Sequence, residues 1–357
     1  MATTETVSDV ISKSRTAAQI LADSRDLCQP ALRAAVDTLP ASMRGIVGYH
    51  FGWWNEHDEP TTNNSGKAIR PTLTLLCAEA VAPATTPADT AIHAAIHAAV
   101  AVELVHNFSL LHDDVMDGDL TRRHRPTAWT VYGSGPAILA GDALLSLAFE
   151  VIASSGHPSA QDGMRILSAA VIDLLDGQQA DLSFERRTDV ARSECLSMAE
   201  RKTGALLGAS CAIGALFGGA DQQQVSLLRD FGELVGLAFQ FVDDLLGIWG
   251  DPAITGKSRH SDLDSRKKSL PVVAALTSNT PAGEALAALY HQEAPLTAID
   301  LIRAAELVDL AGGRDWSQAM ADDLLAQALG QLRAATQNQK TTAELTTLAA
   351  LITRRDR

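Results

Sequence analysis

A chain of 357 residues that is 46% apolar but only 4% aromatic can bury a large core, and its alanine- and leucine-rich bias favours packed helices over sheets. The formal charge of −14, with Lys and Arg scattered along the chain, excludes the basic stripe of a nucleic-acid-binding protein. Four widely spaced cysteines (Cys28, Cys77, Cys195, Cys211) show neither CxxC nor zinc spacing and read as reduced core residues of a cytoplasmic protein.

Residues 1–15 are polar and contain acids, so they match neither a secretory signal nor a transit peptide and read as a flexible tail. The 3.6-residue periodicity predicts a first helix over about 16–38, ended near Pro40. Trp54 to Gly66 reads as loop, and a helix follows from Lys67–Thr72 with Pro71 tolerated in its first turn. The next helix runs from about Pro87 to Met116. Its most apolar stretch, Ala91 to Leu111, is interrupted by His93, His97, Glu103, His106 and Asn107, which marks a buried helix rather than a membrane span. Further helices are expected over about 136–155, 160–184, 190–217 and 221–249. The polar, breaker-rich segment Asp251 to Lys268 is a candidate lid, and shorter helices lead to a basic tail over 353–357. With no strand alternation, no repeat and no dividing linker, the expectation is an all-α fold. A single large helical domain over 16–357 would hold a central cavity between two aspartate-rich helices.

The strongest local signal is His112-Asp113-Asp114-Val115-Met116-Asp117, at the end of that apolar helix. Asp113 and Asp117 are four apart, so they share one helical face and repel each other unless a cation lies between them. An all-oxygen pair of this kind suits Mg²⁺. A second pair, Asp243-Asp244, ends the apolar run GLAFQFVDDLLGIWGD. If folding brings the two pairs face to face, they make a cage for two or three Mg²⁺ and a diphosphate. Lys67 and Arg70 one turn apart, Arg122 and Arg123, Lys202-Thr203 and Lys257 could supply the positive charge to hold one diphosphate through metal and a second without it.

The order of GKAIRP, ELVHNFSLLHDDVMDGDLTRR, GQQADL, KTGAL and FQFVDDLLGIWGDPAITGK resembles the trans-isoprenyl diphosphate synthases over roughly residues 20–350. The resemblance implies a Mg²⁺-dependent condensation of isopentenyl diphosphate with an allylic diphosphate. It assigns Asp113, Asp117 and supporting Asp114 to the metal on the allylic diphosphate, and Asp243 with Asp244 to the remaining metal. Arg122, Lys202 and Lys257 would contact the allylic diphosphate. Lys67, Arg70, His106 and Arg123 would bind isopentenyl diphosphate, and Thr203 and Gln240 would line the reacting centre. The second motif departs from the usual DDxxD, with Gly247 in place of its last aspartate. Phe108 and Ser109, five and four residues before the first aspartate, resemble the pocket floor of enzymes that stop at C20, with C15 as the alternative. Rival readings are a class I terpene cyclase, which has no use for the second cation set, and a non-catalytic subunit of a hetero-oligomeric synthase. The family also implies a homodimer. The stretch after residue 20 is similar to an actinobacterial branch, some of whose members are encapsulin cargo, so the N-terminal tail is a candidate docking arm. No transmembrane segment and no nucleic-acid partner are expected.

Overall fold

The computed structural model describes residues 15–57, 59–61, 66–83, 85, 88–252 and 259–353. Their contacts form two compact units. The first runs to Ala169 and includes Ala209–Arg229 and Leu332–Thr347; the second comprises Ala170–Gly208, Asp230–Gln331 and the chain from Leu348.

In the first unit, α1 (Ala17–Asp37) opens with a capping box: the Thr16 hydroxyl accepts from the Gln19 amide, and the Gln19 side chain accepts from the Thr16 amide. Pro40 separates it from α2 (Ala41–His50). Then come α3 (Ile69–Val81), α4 (Ala88–Met116), a two-stranded hairpin β1 (Thr121–Arg122) and β2 (Arg125–Pro126), α5 (Ala128–Tyr132) and α6 (Ser134–Ala153). α4 is the axis of this unit and packs on α1, α3 and α6. Its interior face is Ala- and Val-rich (Ala98, Ala101, Val102, Val105, all buried), which lets neighbouring helices approach closely. From Asp89, α4 is long and apolar enough to cross a bilayer, but 72% of its most apolar stretch is buried inside the protein. Arg15 and Lys340 clasp two buried acids: Arg15 pairs with Glu344 at 2.7 Å, and Lys340 with Glu79 at 3.2 Å.

The remaining helices are α7 (Ala160–Phe184), α8 (Arg192–Ala199), a π-turn (Glu200–Gly204), α9 (Ala205–Phe217), α10 (Gln222–Trp249), α11 (Ser261–Asp264), α12 (Leu270–Leu276), α13 (Pro281–His291), α14 (Ala298–Leu310), α15 (Gly313–Ala335) and α16 (Gln339–Thr353). The second unit is built on two apolar clusters. One gathers Phe184, Cys195, Met198, Leu237, Phe241 and Leu324; the other gathers Ile248, Leu263, Leu286, Ala304 and Val308. All four cysteines are buried and unbridged.

The all-helical expectation holds, as do the long helices. Three local features differ from it. α2 and α5 form within stretches where the periodicity gave no helix, the hairpin adds two very short strands, and the helix expected over 190–217 is interrupted by the π-turn. The N-terminal arm over 1–14, residues 253–258 of the lid segment with Lys257 among them, and the tail over 354–357 lie outside the described residues.

Candidate active site

Asp113 and Asp114 occupy the last turn of α4, and Asp117 follows its end at Met116. The Asp117 amide still donates to the Asp113 carbonyl at 2.8 Å, so helical spacing persists and the two acids stay one turn apart on one face. Asp114 points inward. Its Oδ1 accepts from Arg122 Nε at 2.6 Å, while its buried Oδ2 has no hydrogen-bond partner among the described residues. Burial pushes the Asp114 carboxyl up to about 6, opposed by Arg122. The hairpin delivers the arginines. Arg123 (φ 53°) and His124 (φ 61°) sit in the left-handed region at its two-residue turn, the conformation that matches the twist of the flanking strands.

Arg123 reaches the start of α3. Its Nη2 lies 2.9 Å from where a Cβ would stand on Gly66, beside Lys67, and Arg25 Nη2 donates to the Gly66 carbonyl at 3.0 Å. Arg70, in the first turn of α3, is enclosed; burial lowers its guanidinium to about 10, against the pull of Glu103. Burial, then Arg70 and Arg123, holds His106 well below the ordinary imidazole range, so it is neutral. The charges of Arg70, Arg123 and Arg122 thus act together on His106. Three partners were missed from the sequence. His50, at the end of α2, is pushed down to about 3 by burial and by Arg123 and Arg122. Glu103 is a buried acid whose carboxyl is raised by burial despite Arg70. Asn107, fully buried, donates from Nδ2 to Glu103 Oε1 at 3.0 Å and accepts at Oδ1 from the His50 ring at 3.1 Å. Two buried polar residues four apart on an apolar helix, Glu103 and Asn107, were the available signal.

In the second unit, Asp244 is the buried member of its pair. Oδ1 accepts from Gln240 Nε2 at 2.7 Å and Oδ2 from the Leu270 amide at 2.8 Å, so Asp244 caps α12. Gln240 Oε1 in turn accepts from the Thr203 hydroxyl at 2.7 Å. Lys202 Nζ meets Asp181 Oδ2 at 2.6 Å. Lys202 and Thr203 both lie in the π-turn, a local widening that recurs at functional sites. A side chain at Gly177 would collide with the Lys202 backbone there. Lys267 is another residue the motif reading missed: burial alone would lower its pKa, but Asp244, Asp181, Asp262 and Asp243 together raise it. Asp243 itself is partly exposed.

At Gly247, where the second motif departs from DDxxD, a Cβ would overlap the Asp262 carboxylate, which reaches that space from α11. An aspartate restored at 247 therefore meets another acid.

No three His, Cys, Asp or Glu side chains converge as a preformed metal centre among the described residues. The all-carboxylate donors, with Asp113 and Asp117 on one face and the unpartnered Asp114 Oδ2 beside them, fit a hard cation that completes its shell with phosphate and water. Phe108 is buried and lies edge-on to His112, with ring centroids 4.8 Å apart; the Ser109 hydroxyl donates to the His106 carbonyl at 2.9 Å.

Long helices carrying an aspartate pair at the end of α4 and another near the end of α10 define the isoprenoid synthase class of all-helical fold. The polyprenyl synthetase family pattern matches residues 53–306. A (2E,6E)-farnesyl diphosphate synthase of Mycobacterium tuberculosis is 47% identical over 336 residues, covering 93% of this chain and 92% of its own. A geranylgeranyl diphosphate synthase of the same organism is 43% identical, covering 94% and 93%. The crystal structure of a polyprenyl synthetase from Streptomyces coelicolor A3(2) matches with a TM-score of 0.88 at 44% identity, covering 94% of this chain and 98% of that one. The chain belongs to the polyprenyl synthetase family. It is a prenyltransferase.

Proposed function

We propose that this short-chain trans-prenyltransferase condenses isopentenyl diphosphate with an allylic diphosphate to give the linear C20 product, geranylgeranyl diphosphate. The observation that carries the reading is the pairing, in one unit, of an acid face (Asp113, Asp117) with a basic cluster (Arg70, His106, Arg123). The first suits a diphosphate held through metal, the second a diphosphate held without it. Two or three Mg²⁺ would sit on Asp113, Asp117 and Asp243, with Asp114 and Asp244 behind them, and would supply neutralisation of the departing diphosphate. Lys202, Arg122 and Lys257 contact that same diphosphate as its C–O bond breaks and the bonding pair leaves with oxygen. Lys67, Arg70, His106 and Arg123 hold isopentenyl diphosphate, whose alkene closes the new C–C bond and then loses a proton. Thr203 and Gln240, joined at 2.7 Å, present oxygen toward the allylic cation. The reading extends to a homodimer in the cytoplasm, and to residues 1–15 as an arm for an encapsulin shell.

The buried ring of Phe108, with small Ser109 beside it, supports the C20 stop. A C15 stop is the second reading, favoured by the farnesyl diphosphate synthase at 47% identity. Incubation with isopentenyl diphosphate, each of the C5, C10 and C15 allylic diphosphates and Mg²⁺, followed by mass spectrometry, tests both. The C20 reading expects every starter to end at C20 and chelator to abolish turnover. Accumulation of C15, with C15 diphosphate left unextended, would establish the shorter product.

A further inference from the structure

The basic pocket is almost entirely a wall of hydrogen-bond donors. Lys67, Arg70 and Arg123, assigned to isopentenyl diphosphate, can only donate. Into this wall project one buried carboxylate, Glu103, and one histidine, His50, that no motif assigns. They are joined by a single residue. Asn107 Nδ2 donates to Glu103 Oε1 at 3.0 Å and to the Glu103 carbonyl at 2.8 Å, which spends the amide's donors on Glu103 and leaves Oδ1 as acceptor. The His50 Nε2 at 3.1 Å must then carry the proton. One tautomer is fixed, with Nδ1 a bare acceptor, and Nδ1 makes no other hydrogen bond among the described residues. Glu103, Arg70, His106, Arg122, Arg123 and Arg125 are the charged and titratable groups whose fields act on this chain of three.

We infer that Glu103, Asn107 and His50 form a positioning chain for the isopentenyl diphosphate subsite, in which His50 is an added member of the pocket wall. The inference rests on the assignment of Arg70, His106 and Arg123 to that subsite. Its physical content is orientation. Crowded guanidinium groups repel one another and, in a pocket without anion, turn outward to water. A buried carboxylate balances their charge, and the His50 ring holds Asn107, and through it Glu103, in place. The pocket is thus set for a diphosphate before one arrives, which removes an ordering cost from binding. Neither Glu103 nor His50 needs to touch the reacting carbons, so the effect belongs to one substrate only.

The test is a steady-state comparison of KM for the two substrates in His50→Phe, which keeps a ring but removes the nitrogen, and in His50→Gln, whose amide can still donate to Asn107. His50→Phe should raise KM for isopentenyl diphosphate about tenfold, the scale of one well-placed hydrogen bond. KM for the allylic substrate should stay within about twofold, and His50→Gln should recover most of the loss. Calorimetry with inorganic pyrophosphate in excess chelator, where only the metal-free site binds, should show the same weakening of about tenfold. Asn107→Leu breaks the chain from its other side and is the second variant if His50→Phe does not accumulate. The double variant should lose about tenfold rather than about a hundredfold, because both changes cut one path. Arg70→Lys is the control for the subsite itself. If it raises KM for isopentenyl diphosphate while His50→Phe and Asn107→Leu leave that KM unmoved, or move both substrates equally, the chain is ordinary packing and the inference fails alone. If Arg70→Lys also leaves it unmoved, the subsite assignment has failed and the inference falls with it.

Discussion

The two aspartate pairs divide their labour in the same way but are balanced by different means. In each, the first member is partly exposed (Asp113, Asp243) and the second is buried and tied to the scaffold (Asp114, Asp244). Asp114 is held by Arg122, delivered by a hairpin outside α4. Asp244 is held from within its own unit by Gln240 and the α12 amide, and faces the enclosed Lys267. The lesson concerns charge. A buried acid survives at a helix end only with a dedicated partner, so the second aspartate of each pair is tied into the scaffold while the first stays nearer the surface.

Breaking the ligand half should have the largest effect. Asp113→Asn is expected to lower kcat on the order of 10²–10³-fold, the loss seen when one group stabilising developing charge is removed. Breaking the internal balance in the second unit comes next. Lys267→Met leaves Asp244, Asp181 and Asp262 without their shared cation and should cost about 3–5 kcal/mol of stability, read as a large drop in the denaturant midpoint. Phe108→Ala should lengthen the product by one or more C5 units in the mass-spectrometric assay, and should itself cost about 3–5 kcal/mol because the ring is buried.

Acidification gives the smallest effect. His50 binds its proton at about 3 in the folded chain against about 6.5 when unfolded, so between those values the unfolded chain holds more protons. Stability from this group is therefore present at neutral pH and falls as pH drops through the window, by about 2 kcal/mol at pH 5. Asp114, raised to about 6, acts in the opposite sense. The melting temperature of the unaltered chain should therefore fall further than that of His50→Gln between pH 7.5 and 5, and the difference isolates His50.

Much of this was legible in the sequence because long elements repeat their signal. The 29 residues of α4 and the 28 of α10 each carry several apolar turns, and their terminal acid pairs stand out against that background. α2 did not stand out. Its ten residues hold Gly45 and Gly48, and it forms because tertiary packing overrides weak propensity. The hairpin has two residues per strand, below any alternation a pattern can register. The π-turn, Glu200–Gly204, falls inside a stretch whose periodicity reads as one unbroken helix. In the site, Glu103 and Asn107 stand inside a motif that gives them no role, whereas His50, Asp262 and Lys267 come from outside the motifs and owe their role to neighbours that only folding supplies. Asp262 shows the limit most clearly. The vacancy at Gly247 was visible in sequence, but the acid that fills its space comes from another helix.

The most direct test of the division within each pair is a side-by-side measurement of kcat and melting temperature for Asp243→Asn and Asp244→Asn. Asp243→Asn should lose turnover at an unchanged melting temperature. Asp244→Asn places an amide against the Leu270 amide or Gln240 and should lower the melting temperature, with about 2 kcal/mol of stability lost. The opposite pattern, with Asp243→Asn unstable and Asp244→Asn stable but inactive, would contradict the account.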